Sequence, residues 1–93
     1  MYRTHVRIIA DILNTARDYS DNGTGVSITV LIRRANVSYG RIVKILGRLV
    51  DGGLIEEIPE DKTNKYKISE RGMEFLQVYS NFQGFVESFG LKI

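Results

Sequence analysis

The chain has 93 residues, with no cysteine, one histidine and one proline. Without cysteine there is no disulfide scaffold, no thiolate metal site and no cysteine nucleophile, and the chain suits a reducing cytosol. The lone histidine, His5, lacks the companions a zinc site needs and is expected on the surface. No apolar run approaches the length of a membrane span, and the segment holding Arg3, His5 and Arg7 lacks a signal-peptide core. Strong net charge is missing too: 13 basic residues against 11 acidic ones leave only +2. The stretch "DNGTG" has too few glycines, in the wrong setting, for a phosphate loop. Glu56, Glu57, Glu60 and Asp61 cluster where a hairpin is expected and read as a solvated edge. These absences argue against an enzyme and predict no cofactor, no metal and no membrane partner.

What is present is a globular composition with a biased charge distribution. Hydrophobic residues make up 43% of the chain, which argues against wholesale disorder and fits one domain. Between Thr29 and Asp51 lie Arg33, Arg34, Arg41, Lys44 and Arg48, opposed only by Asp51. The rest of the chain is therefore slightly acidic. A neutral body carrying one basic segment is the pattern of a directed electrostatic surface.

Periodicity predicts the elements. From Thr4 to Tyr19, Val6, Ile9, Ile12, Leu13 and Ala16 recur at helical spacing, and "SDNGTG" closes this helix. "GVSI", residues 25–28, reads as a short strand, and Thr29 as the cap of a two-turn helix ended by Asn36. Ser38 caps the next helix, with Ile42, Ile45, Leu46 and Leu49 on one face and a glycine at 52 or 53 ending it. "LIEEI" and "KYKIS" read as two strands around "PEDKTN", and Ser69 caps a last helix of about five turns. The expected fold is mainly α with a small β-hairpin, an α+β winged helix-turn-helix.

"ANVSY", the glycine pair followed by "LI", and "YKISERGMEFL" resemble the small archaeal winged-helix DNA-binding proteins, of chromatin or transcription-regulator type and including viral or plasmid-borne regulators. The resemblance runs from about Val6 to Tyr79. It implies binding of double-stranded DNA as a homodimer, through the helix from Tyr39 to Asp51 and the loop around Lys62, with a carboxy-terminal helix pairing two subunits in a coiled coil. Residues 1–69 would form the DNA-binding domain, and 70–93 a dimerisation helix packed on it. A cytoplasmic, nucleoid-associated location follows from that role.

In such a fold the residues at the start of the recognition helix reach base edges: here Ser38, Tyr39, Gly40 and Arg41, with Lys44 one turn on. Arg41 suits a forked contact to guanine, Lys44 and Arg48 suit phosphates or neighbouring bases, and Tyr39 either touches DNA or packs at the core edge with its hydroxyl outward. Gly40 and Gly47 weaken the helix by about 1 kcal/mol each against alanine, which makes sense where another surface approaches closely. Arg33 and Arg34 reach phosphate or simply favour the carbonyl end of their helix. Lys62, Thr63, Asn64 and Lys65 form the tip of the hairpin, with Glu60 and Asp61 opposing them.

The last helix carries a heptad seam of Phe75, Tyr79, Phe82, Val86 and Phe89, flanked by Val78 and Phe85, while Met73 and Leu76 face the domain. Two apolar faces of this width predict a homodimer. A seam of aromatics can also hold a small apolar effector, although no residue names one. The rival reading is a protein–protein interaction module that works through this aromatic helix, its basic stripe being only a solvated face.

Overall fold

A computed structural model describes residues 3–20 and 22–93. Among them the order is α1 (His5–Asp18), α2 (Ile28–Ala35), α3 (Tyr39–Asp51), β1 (Ile55–Pro59), β2 (Asn64–Ile68) and α4 (Glu70–Glu87). Hydroxyl caps start all four helices: Thr4, Ser27, Ser38 and Ser69 accept from the backbone N–H three residues on. Each satisfies one of the donors that a helix leaves unpaired at its start.

The cap of α2 is Ser27 and not Thr29, and the strand expected at 25–28 shrinks to one bridge, Val26 with Tyr66. Both corrections have one cause. Val26 N–H donates to the Tyr66 carbonyl at 2.9 Å and Tyr66 N–H donates back at 2.8 Å, which leaves Ser27 as the first residue free to turn into a helix. Gly25 makes this contact possible. Its φ is +94°, and a Cβ there would lie 2.8 Å from the Tyr66 carbonyl oxygen, so a side chain is excluded both by conformation and by space.

Asn36, left-handed at φ 56°, ends α2, and Val37 turns inward before Ser38 opens α3. The expected face of α3 is the buried one: Ile42, Ile45, Leu46 and Leu49. Of the two candidate glycines, Gly53 adopts the left-handed conformation, at φ +80°. The hairpin pairs Ile55 with Ile68 through to Pro59 with Asn64, and Glu60 N–H donates to the Thr63 carbonyl at 2.9 Å to close the loop.

The core joins Ile8, Ile12, Leu13, Leu31, Ile42 and Ile55, all fully buried. In α1 the buried set is wider than expected and starts later: Ile8, Ala10, Ile12, Leu13, Thr15 and Ala16 are buried, Ile9 is half-buried, and Val6 is exposed. The reason is that α1 is packed from several sides, by α2, β2 and α4. Only the first half of α4 is tied to this body. Gly72 sits so close to the Leu54 carbonyl and the Ile68 side chain that no Cβ fits, and Leu76 is buried. From Ser80 to the end of α4, no residue is buried.

Candidate nucleic-acid interface

α3 lies on the core by one face and presents Tyr39, Gly40, Arg41, Val43, Lys44, Gly47, Arg48 and Asp51 to solvent. Ser38 is committed to capping, its hydroxyl accepting from Arg41 N–H at 3.4 Å. Tyr39 is 65% exposed, so its ring is available and is not a core element. A Cβ built on Gly40 or Gly47 would meet nothing within 4 Å. Nothing in the protomer requires glycine at either position, and the outer face of α3 is bare backbone there.

The exposed surface of α3 has two flanks. One runs beside the hairpin, where Val43, Gly47 and Asp51 share a groove with Glu57 and Tyr66. Glu57 accepts from Asn64 Nδ2 at 2.7 Å and from the Tyr66 hydroxyl at 3.2 Å. Burial first, and then the neighbouring Glu57 charge, raise the Tyr66 phenol above its ordinary range, so it stays a protonated donor. The other flank carries Arg41, Lys44 and Arg48, which line a shallow notch with Ile45 and, from the start of α1, His5. His5 was not legible from sequence as part of this surface, because only tertiary packing brings the start of α1 beside α3.

Ion pairing engages the arginines of the first helix. On α1 and just before it, Arg3 and Arg7 pair with Asp11 at 2.8 and 3.4 Å, and Arg17 pairs with Asp18 at 2.8 Å. Arg3 also donates to the carbonyls of Ala35 and Asn36, holding the end of α2 on α1. Among the described residues, Arg41, Lys44 and Arg48 make no ion pair, nor do Lys62 and Lys65 on the hairpin. The three paired arginines all lie on or just before α1. Arg33, Arg34 and Arg71 elsewhere on the body also lack an ion pair among the described residues, so what sets α3 apart is three exposed, unpaired cations on one helix face.

The remaining expected positions are scattered. Arg33 is exposed at the end of α2, whereas the Arg34 guanidinium lies 4.8 Å from the centre of the Tyr19 ring, a cation–π contact that gives it a structural task. Lys62 and Thr63 are exposed at the hairpin tip beside Glu60 and Asp61, and Lys65 is half-buried. Asn64 is half-buried too, with its amide already engaged by Glu57.

On the last helix the seam divides. Phe75 and Tyr79 stack at 6.5 Å and pack half-buried on the protomer's own core, and Val86 is half-buried. Val78, Phe82, Phe85 and Phe89 are 61%, 54%, 64% and 67% exposed, with Phe85 and Phe89 edge to face at 5.2 Å. Met73, expected against the domain, is exposed; Leu76 alone fills that role.

A helix pair joined by a three-residue turn, followed by a hairpin, is the arrangement to which a winged helix-turn-helix family model matches over residues 2–87. The chain belongs to the winged helix-turn-helix family. In that frame α3 is the second helix of the motif and the β1–β2 hairpin is its wing. The fold is also similar to the crystal structure of Sso10a-2, a DNA-binding protein from Sulfolobus solfataricus. The TM-score is 0.80 at 25% identity, covering 94% of this chain and 85% of that one. No curated protein matches the sequence. Among the described residues, no helix is long and apolar enough to cross a membrane, and no three His, Asp or Glu side chains gather as metal ligands would.

Proposed function

We propose that this protein binds double-stranded DNA as a homodimeric transcription regulator or chromatin-associated protein of the nucleoid. α3 lies in the major groove, and the wing, residues 59–65, rests on neighbouring backbone. The observation that carries this reading is the outer face of α3, where Arg41, Lys44 and Arg48 stand together, exposed and without an ion-pair partner among the described residues. Unpaired cations on one bare helix face match the negative charge of a duplex. Arg41 is the candidate for base readout, Lys44 and Arg48 for phosphates, and Lys62 and Thr63 for the wing contact. The protein works by occupying DNA and not by chemistry.

Residues 1–69 form the DNA-binding part and 70–93 the dimerisation helix. The exposed row of Val78, Phe82, Phe85 and Phe89 supports the pairing, because an apolar patch of that size is costly to leave in water. A dimer built for successive major grooves would set its two α3 helices roughly 34 Å apart. Sso10a-2, to which the fold is similar, is a DNA-binding protein, which agrees with this reading.

Titration of a mixed-sequence duplex at several salt concentrations tests the proposal. About five to eight phosphate contacts per dimer give a log–log salt slope of roughly −4 to −7. A flat salt response, or no binding at low salt, refutes it.

The bare glycines supply a second test. Gly47→Ala adds a methyl group that meets nothing in the protomer, so α3 should gain about 0.5–1 kcal/mol. If DNA approaches that face closely, the same variant binds duplex more weakly. Thermal unfolding and duplex titration on one sample read both effects, and a more stable variant with unchanged affinity means the bare face is not used.

A further inference from the structure

We infer that His5 completes a phosphate-binding notch with Arg41, Lys44 and Arg48, and that its protonation strengthens duplex binding at mildly acidic pH. The inference rests on the DNA-binding reading and adds to it a residue outside the helix-turn-helix and the wing.

The notch is a concavity of about 190 Å³ between the start of α1 and α3, lined by His5, Arg41, Lys44, Ile45 and Arg48. Three of the five lining residues are permanent cations and one is an imidazole. Among the described residues, no carboxylate pairs with any of them. The charged groups before and on α1, Arg3 and Arg7, are both held on Asp11, so the α1 side offers no free anion either. A concentration of like charge around a small open concavity is eased by an anion, and a backbone phosphate is the anion that α3 meets when it enters a groove. His5 is exposed, so its ring is free to turn towards such a phosphate.

The sign of the pH effect follows from linkage. Histidine is the side chain whose charge changes between pH 5 and 8. A bound phosphate beside the ring favours the imidazolium over the neutral form. Binding therefore takes up a proton. Affinity is highest at low pH, falls as pH rises through the histidine range, and levels off once the ring is neutral in both states. A bound-state rise of half a unit to one unit corresponds to roughly a three- to tenfold gain per protomer.

The chain contains one histidine, so its ring resonances report on this site alone. The experiment measures affinity for a mixed-sequence duplex from pH 5.5 to 8 for the wild type and His5→Gln, and follows the histidine ring by NMR with and without duplex. Inorganic phosphate at equal concentration serves as a separate arm. The wild type is expected to bind about three- to tenfold or more tightly at the acid end, while His5→Gln keeps the affinity seen at pH 8 throughout. The duplex should shift the ring titration upward, and inorganic phosphate at that concentration should not. Identical pH profiles for the two proteins, or a ring titration unmoved by duplex, overturn the assignment of His5 while DNA binding itself stands. An equal shift with inorganic phosphate also overturns it, since the notch would then be a site for free anions. Failure of both proteins to bind at any pH instead removes the DNA-binding reading.

Discussion

Replacing Arg41, Lys44 and Arg48 together by alanine should abolish most duplex binding while leaving the fold intact. All three side chains are exposed and make no ion pair among the described residues, so the stability change should stay within about 1 kcal/mol. The loss of affinity should be large, because three cations per protomer are six per dimer. At about 0.9 per contact, the log–log salt slope flattens by up to roughly 5. The three do not contribute alike. Arg41, nearest the start of α3, should cost about 1–3 kcal/mol at preferred sites when changed alone, and relax discrimination between sequences. Lys62→Ala on the wing should weaken all duplexes to a similar degree. If the Arg41 and Lys62 variants lose affinity with the same sequence profile, base readout belongs to another element. If the triple variant keeps the wild-type salt slope, α3 is not the DNA-binding face.

The sequence carried the core of the motif but not its surroundings. α3 was legible because its cap and its apolar period agree: Ser38 opens the helix and Ile42, Ile45, Leu46 and Leu49 share one sector. Local propensity and burial then point the same way. The start of α2 was not legible, since Ser27 and Thr29 are both good caps. The choice is made by the Val26–Tyr66 bridge, a contact across forty residues of chain. Val6 failed for a different reason: it shares an angular sector with buried residues of α1 but lies in the first turn, where it is exposed. The same distinction governs the site. The basic stripe on α3 follows from helical geometry alone, whereas the Arg34–Tyr19 contact, the capture of Asn64 by Glu57 and the position of His5 depend on tertiary neighbours. Along α4 the heptad seam divides by exposure. Spacing places Phe75, Tyr79 and Phe82 in one row, but only packing decides that the first two lean on the core and the third does not.

That division makes Phe82→Asp the decisive change on the last helix. Phe82 is 54% exposed in the protomer and is no part of its buried core, so the fold should survive its loss. In a dimer closed through the exposed row, Phe82 stands between Val78 and Phe85, and a carboxylate there would be buried without a partner, which is strongly unfavourable. The variant is expected to sediment as a folded monomer. Its affinity for a duplex carrying two half-sites should fall by roughly a hundredfold or more, because linking two binding units raises the effective concentration of the second. Affinity for a single half-site should change little, since α3 and the wing are untouched. A folded variant that remains dimeric would place the interface elsewhere, with the half-buried groove between α1 and α4 the next surface to probe. A variant that unfolds would mean that Phe82 supports the protomer after all. A folded monomer with unimpaired affinity for paired half-sites would show that the dimer, although real, is not what the DNA requires.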